Sequence, residues 1–172
     1  DLLDMLNAQP GGRLPEDLAG VFFSQLLSGI QGCHAANLAH RDVKPENVMV
    51  CGATGVLKLI DLGLSKHLTS ARTLGTGTPD YMAPELICAG GGREGDAVYD
   101  AALADVWSMG CVFLEIVLGH RQFYEMWVTA YDTRLMHDPE KFAKRIAAAL
   151  IQVEARLDEL AQGSGAEPAL PG

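Results

Sequence analysis

Apolar residues recur about once per helical turn at Leu18, Phe22, Leu26, Ile30 and Cys33, which predicts a long helix over 16–37. Its start is marked by Leu14-Pro15-Glu16, with proline in the first turn and acids behind it. Before it, residues 1–6 read as the end of a helix already under way at Asp1 and stopped at Pro10-Gly11-Gly12. The pattern then changes. Val48–Val50 and Val56–Ile60 are short β-branched runs, and Cys51 to Gly55 between them reads as a hairpin turn. Residues 61–82 have no periodicity and are rich in Ser, Thr and Gly, so they read as one long loop of the kind that carries function. A glycine-rich insertion covers 89–98. Leu103–Leu118 is apolar nearly all round and reads as a buried helix. Phe142, Ile146, Leu150, Val153, Leu157 and Leu160 mark the buried face of an amphipathic helix over 141–160, and residues 161–172 read as a disordered tail. The expected class is α+β, mainly α-helical, with short β-hairpins.

Composition narrows the functions open to such a chain. It has 172 residues, 48% of them hydrophobic, which suits one domain or a large piece of one. A net charge of -9 argues against a nucleic-acid partner and against a helix resting on anionic lipid. The best apolar stretch, Val106–Leu118, is short for a membrane span and carries Glu115. Cys33, Cys51, Cys88 and Cys111 form no CxxC, so they read as small core residues in a reduced compartment. The expectation is a soluble protein of the cytoplasm, with the nucleus as a second compartment, and no nucleic-acid or membrane partner.

The densest chemistry lies in "HRDVKPEN", residues 40–47, set against the apolar Val48-Met49-Val50. Asp42 is a carboxylate able to accept a proton, with Lys44 and Asn47 in the same loop. A hairpin away, Asp61 ends an apolar run and is followed by Leu62-Gly63. One carboxylate and one amide oxygen suit Mg²⁺, which keeps much of its shell for water and phosphate.

"HRDVKPEN" resembles the catalytic loop of eukaryotic protein kinases. "DLG" at 61–63 resembles their metal-binding DFG, "APE" at 83–85 the end of their activation segment, and "DVWSMG" at 105–110 the start of their central helix. These motifs occur in the family's order and at its spacings, and the likeness is clear over about residues 1–119. It implies a serine/threonine protein kinase using ATP and Mg²⁺, acting on a protein Ser or Thr. In that resemblance Asp42 orients the substrate hydroxyl and accepts its proton, and Lys44 steadies the γ-phosphate. Asn47 and Asp61 hold the metal, and Thr78 bonds the catalytic Asp and Lys. Glu46 is placed with Lys44, Asn47 and Asp61 around the nucleotide, and resembles a residue that reads a basic substrate side chain. Its alternative is a solvated loop acid. His40 is implied to pack and bond to the loop after Asp61, and Asp105 to tie down the catalytic-loop backbone. Arg41 and Lys66 imply an activation segment ordered by phosphorylation, with an upstream activating kinase as partner. Thr73 is the chosen acceptor among Thr69, Ser70, Thr73 and Thr76, plain loop hydroxyls being the alternative.

"FFSQLLSGI", "GTPDYMAPE" and "HDPEKFAKRI" are similar to stretches of plant SNF1-related kinases within the wider calcium/calmodulin-dependent group. There are departures. No glycine-rich loop or VAIK lysine can be assigned, so residues 1–160 read as a partial domain, a C-lobe with the N-lobe absent. Transfer by this chain alone is not expected. Leu62 replaces the usual Phe, and Arg156 is a weak candidate to pair with Glu85. "GGGREG" at 90–95 matches a phosphate loop only by letters, and "GTGTPD" at 75–80 reads as a segment near the peptide site. The competing reading is a truncated kinase or pseudokinase C-lobe that serves as a protein-binding module.

Overall fold

Asp1 stands at a helix cap in the computed structural model, its carboxylate accepting the Asp4 amide at 2.9 Å. Helix α1 is Leu2–Asn7 and gives way to the Pro10-Gly11-Gly12 stop, as its pattern implied. The structure describes residues 1–70, 76–89, 99–131 and 138–162, the side chains of 88 and 89 excepted. After a single 3₁₀ turn at Pro10–Gly12 comes α2, Glu16–Ala35. Ala19, Phe22, Leu26 and Ile30 form its buried stripe. It ends at Ala35, short of the expected 37, because Asn37 takes the left-handed conformation at φ 62°.

Two small antiparallel sheets follow. β1 (Leu38–Ala39) pairs with β4 (Lys66–His67), and β2 (Val48–Val50) pairs with β3 (Leu57–Leu59). Val48 faces Leu59 and Val50 faces Leu57, so the hairpin forms where the apolar runs met, although Val56 and Ile60 fall outside the ladder. The β2–β3 hairpin is held to α2 by Gln25, which accepts the Leu57 amide at 2.9 Å and donates to the Gly55 carbonyl at 3.2 Å. Residues 61–82 are less featureless than their composition implied. They contain β4 and 3₁₀ turns at Leu68–Ser70 and Pro79–Tyr81.

Helix α3 is Pro84–Ala89, and α4 is Ala101–Leu118. Asp100 caps α4 by accepting the Ala102 and Leu103 amides. Val112, Ile116 and Leu118 have no exposed surface, and α4 packs on α2. The expectation of burial all round fails on one side: Leu103 is 63% and Val106 44% exposed, because only the opposite face meets other elements among the described residues. By length and hydropathy α4 could cross a membrane, yet Asp105 and Glu115 are buried in it, each bonded to protein groups.

Gly119 joins α4 to α5 (His120–Met126) at φ 85°, where a Cβ would lie 2.5 Å from the Gly11 carbonyl oxygen. Helix α6, Pro139–Ala161, has proline at its start and Asp138 as its cap. Phe142, Ile146, Ala149 and Val153 are its buried stripe. Leu150, expected inside, is 48% exposed, because it lies one residue, about 100°, off that stripe. Leu157 and Leu160 pack at the core's margin. Ala161 is still helical, so the expected tail begins at least a residue later, and 163–172 lie outside the described residues.

Candidate active site

The loop between β1 and β2 is suspended from α4. Asp105 is 1% exposed and accepts three bonds: the His40 amide at 2.8 Å, the Arg41 amide at 2.7 Å and His34 Nε2 at 2.9 Å. A charged acceptor shared by two adjacent amides fixes the chain direction there. His40 has no exposed surface. Its Nε2 lies 3.0 Å from the Ile60 carbonyl, and its Nδ1 accepts the Asp42 amide at 3.3 Å, which assigns the Nε2–H tautomer. The bond thus reaches the residue before Asp61, where one to the loop after it was expected. Arg41 sits at φ 71° and Asp61 at φ 63°, sparsely populated values for non-glycine residues, and both flank this junction.

Asp42 is the centre of the site. Thr78 Oγ1 donates to its Oδ1 at 2.8 Å, Asn47 Nδ2 to its Oδ2 at 3.0 Å, and Lys44 Nζ lies 3.0 Å from Oδ2. Lys44 Nζ also donates to Thr78 Oγ1 at 2.9 Å, closing a ring of Asp42, Lys44 and Thr78. Burial pushes the Asp42 carboxyl up, but the bonds from Lys44, Thr78 and Asn47 outweigh it and hold the group below the usual carboxylate range. A carboxylate offers about four lone-pair directions. Three are taken here, which leaves one on Oδ1.

Asn47 follows from a single 3₁₀ turn, Pro45–Asn47, and is 7% exposed. Its amide N–H groups are spent on the Asp42 carbonyl at 2.8 Å and on Asp42 Oδ2, so its oxygen is the atom left to face a ligand. Asp61 is exposed, and its Oδ1 accepts the Gly63 amide at 3.0 Å. The Ile60 amide bonds the Asn47 carbonyl at 2.9 Å, which ties the Asp61 strand end to Asn47. Among the described residues no three His, Cys, Asp or Glu side chains converge as a metal cage. The donor set fits a hard cation that takes one carboxylate and one amide oxygen and fills its shell with phosphate and water.

The remaining candidates are more dispersed. Glu46 is exposed. Arg41 reaches back toward β4, its Nη1 3.4 Å from the Leu64 carbonyl, and Lys66 lies in β4 opposite Ala39. Thr76 lines a narrow cleft with Arg41, Asp42 and Thr78. Thr73 lies outside the described residues, as does "GGGREG". Glu85 is exposed at the start of α3. Arg156 does not pair with it: its Nε donates to Gln122 at 2.8 Å and its Nη1 meets Glu159 at 2.8 Å, because α6 turns that residue toward α5.

The model of the protein kinase domain matches residues 1–161. The chain belongs to that family. It is 42% identical over 124 residues to CBL-interacting protein kinase 20 of Oryza sativa, covering 67% of this chain and 25% of that protein. It is 41% identical over 127 residues to CBL-interacting serine/threonine-protein kinase 18 of Arabidopsis thaliana, covering 71% and 23%. It is 40% identical over 138 residues to serine/threonine-protein kinase SRK2B of the same plant, covering 78% and 34%. These relatives are of the plant SNF1-related group, and the chain spans between about a quarter and a third of their length. Kinases of this family generally use ATP and Mg²⁺.

Within this kinase domain, sequence reasoning missed His34 and Gly77. His34 sits in the last turn of α2, and nothing in its local pattern points to Asp105, 71 residues away. Gly77 has φ 114°, and a Cβ on it would fall 2.6 Å from the Arg41 carbonyl oxygen. The glycine lets the segment carrying Thr78 lie directly on the 40–47 loop. Its place just ahead of Thr78 was the available signal.

Proposed function

We propose that this chain is the substrate-binding and catalytic portion of a serine/threonine protein kinase that moves the γ-phosphoryl of Mg-ATP to a protein Ser or Thr hydroxyl. The observation that carries this is the ring of Asp42, Lys44 and Thr78, which leaves one lone pair of Asp42 Oδ1 for a substrate hydroxyl. Asp42 orients that hydroxyl and takes its proton as the new oxygen–phosphorus bond forms. Its depressed pKa suits a base that acts late, when the attacking oxygen has become acidic. Lys44 supplies positive charge beside the transferred group. The Asn47 oxygen and the Asp61 carboxylate would hold Mg²⁺, which when bound neutralises phosphate charge. Glu46 stands ready on the exposed rim for a basic substrate side chain. Arg41 and Lys66 would order the activation segment around a phosphate placed by an upstream kinase.

Large apolar residues flank Asp61 in the open: Ile60 is 39%, Leu62 52% and Leu64 40% exposed. This supports an ATP site completed by protein surface beyond these residues, an N-lobe, without which the chain transfers no phosphate at a useful rate. The test is ATP-dependent transfer to Ser/Thr peptides by the full-length protein and its Asp42→Asn variant. Loss of at least about a thousandfold in kcat is expected for a base that also orients its substrate. Equal rates would sink the reading, and the binding-module alternative would then stand.

A further inference from the structure

Glu115 is a carboxylate with no exposed surface, and the proposed transfer chemistry does not use it. Both its oxygens are engaged: Tyr81 OH donates to Oε2 at 2.6 Å, and His120 Nδ1 lies 2.6 Å from Oε1. Burial holds the Glu115 carboxyl above the usual carboxylate range, and the Tyr81 and His120 bonds offset it only in part. Among the described residues, the titratable groups facing this cluster are Glu46 from the 40–47 loop, Tyr81 and Asp80 from the 79–81 turn, Cys111 from α4 and His120 from α5.

Tyr81 is held at several points. Its ring stacks on Phe123 at 5.6 Å, its carbonyl accepts Ser108 Oγ at 2.7 Å, and its phenol is pinned by Glu115. Its amide donates to the Thr78 carbonyl at 3.1 Å, and the Met82 amide to the Pro79 carbonyl at 3.1 Å. This turn therefore carries Thr78 to Asp42 and Lys44. His120 is in turn set by backbone sterics, because Gly119 beside it leaves no room for a Cβ against Gly11. Its own side chain is 49% exposed.

We infer that His120 is a positioning residue for phosphoryl transfer. Its Nδ1–H holds the buried Glu115 carboxylate in the orientation that fixes Tyr81 and, through the 78–81 turn, Thr78 against Asp42 and Lys44. With His120 truncated, Glu115 keeps Tyr81 as its one bonded partner among the described residues and turns to satisfy its bare oxygen, so the phenol anchor loosens. The functional consequence rests on the kinase reading, and the structural link does not.

The experiment is amide hydrogen exchange, resolved by NMR, on the full-length protein as wild type, His120→Ala and His120→Asn. Asparagine offers an amide N–H near the Nδ1 position. In His120→Ala, Tyr81 and Met82 should lose about tenfold protection or more, the low end for one charge-assisted hydrogen bond, while core amides of α2 and α4 stay within about twofold. His120→Asn should recover most of it. Unchanged protection at Tyr81 and Met82, equal loss throughout the chain, or an Asn variant no better than Ala would each overturn the assignment. No ATP enters the measurement, so it stands or falls apart from the transfer assay.

Discussion

Replacing Asp105 with asparagine tests how the 40–47 loop is held. The carboxylate is 1% exposed and receives His40 N and His34 Nε2 on one oxygen and Arg41 N on the other. Asparagine has one acceptor oxygen. Whichever way the amide turns, its NH₂ faces a backbone N–H or the His34 N–H, so at least one charge-assisted bond is lost and a buried donor is left bare. The bond is worth about 1.5–3 kcal/mol and the stranded donor about 1–3 kcal/mol, so Asp105→Asn should destabilise by about 2.5–6 kcal/mol. That is a large share of a typical folding free energy of about 5–15 kcal/mol. Urea unfolding of wild type and variant, followed by circular dichroism, reads it as a lowered midpoint at unchanged slope. A double-mutant cycle with His34→Ala adds a check. The histidine shares Oδ2, so its removal should matter about 0.5–3 kcal/mol less in the asparagine background. A loss below about 1 kcal/mol for Asp105→Asn would refute the claim that this carboxylate suspends the loop.

Further outcomes follow from other contacts. Gly77→Ala should place a methyl against the Arg41 carbonyl at a strained φ, costing about 1–3 kcal/mol of local order and lowering kcat of the full-length protein about tenfold or more; a fully active variant would contradict it. Phe142→Ala, at a buried position edge-on to Tyr131 with ring centroids 5.5 Å apart, should lose about 3–5 kcal/mol in denaturant unfolding. Leu150→Ala on the same helix should lose less than about 1 kcal/mol, and equal losses would mean the helix is turned otherwise. The Asp42 carboxyl has its folded pKa below the unfolded value near 3.8, so its stabilisation is present above that value and lost as pH falls through the folded pKa. Acid unfolding below pH about 4 should therefore be shallower in Asp42→Asn than in wild type.

Much of this protein was legible in its one-dimensional pattern. Helices α2, α4 and α6 and the β2–β3 hairpin follow from apolar periodicity and turn residues, which are local and act within a few neighbouring positions. The 40–47 loop and Asp61 stood out because polar residues packed against an apolar strand are locally unusual. What periodicity could not supply was which side of an apolar helix meets a partner. Leu103 and Leu150 are as apolar as their buried neighbours, and only the packing leaves them outside. Nor could spacing bring His34 to Asp105, Thr78 to Asp42, or His120 to Tyr81 through Glu115. Those contacts join residues far apart in sequence, and hydrogen bonds of about 3 Å depend on backbone placement that local propensity does not encode. Residue types and loop identity were thus determined by sequence alone, whereas the alignment of Asp42 with Lys44, Asn47 and Thr78 was decided by tertiary packing around α4.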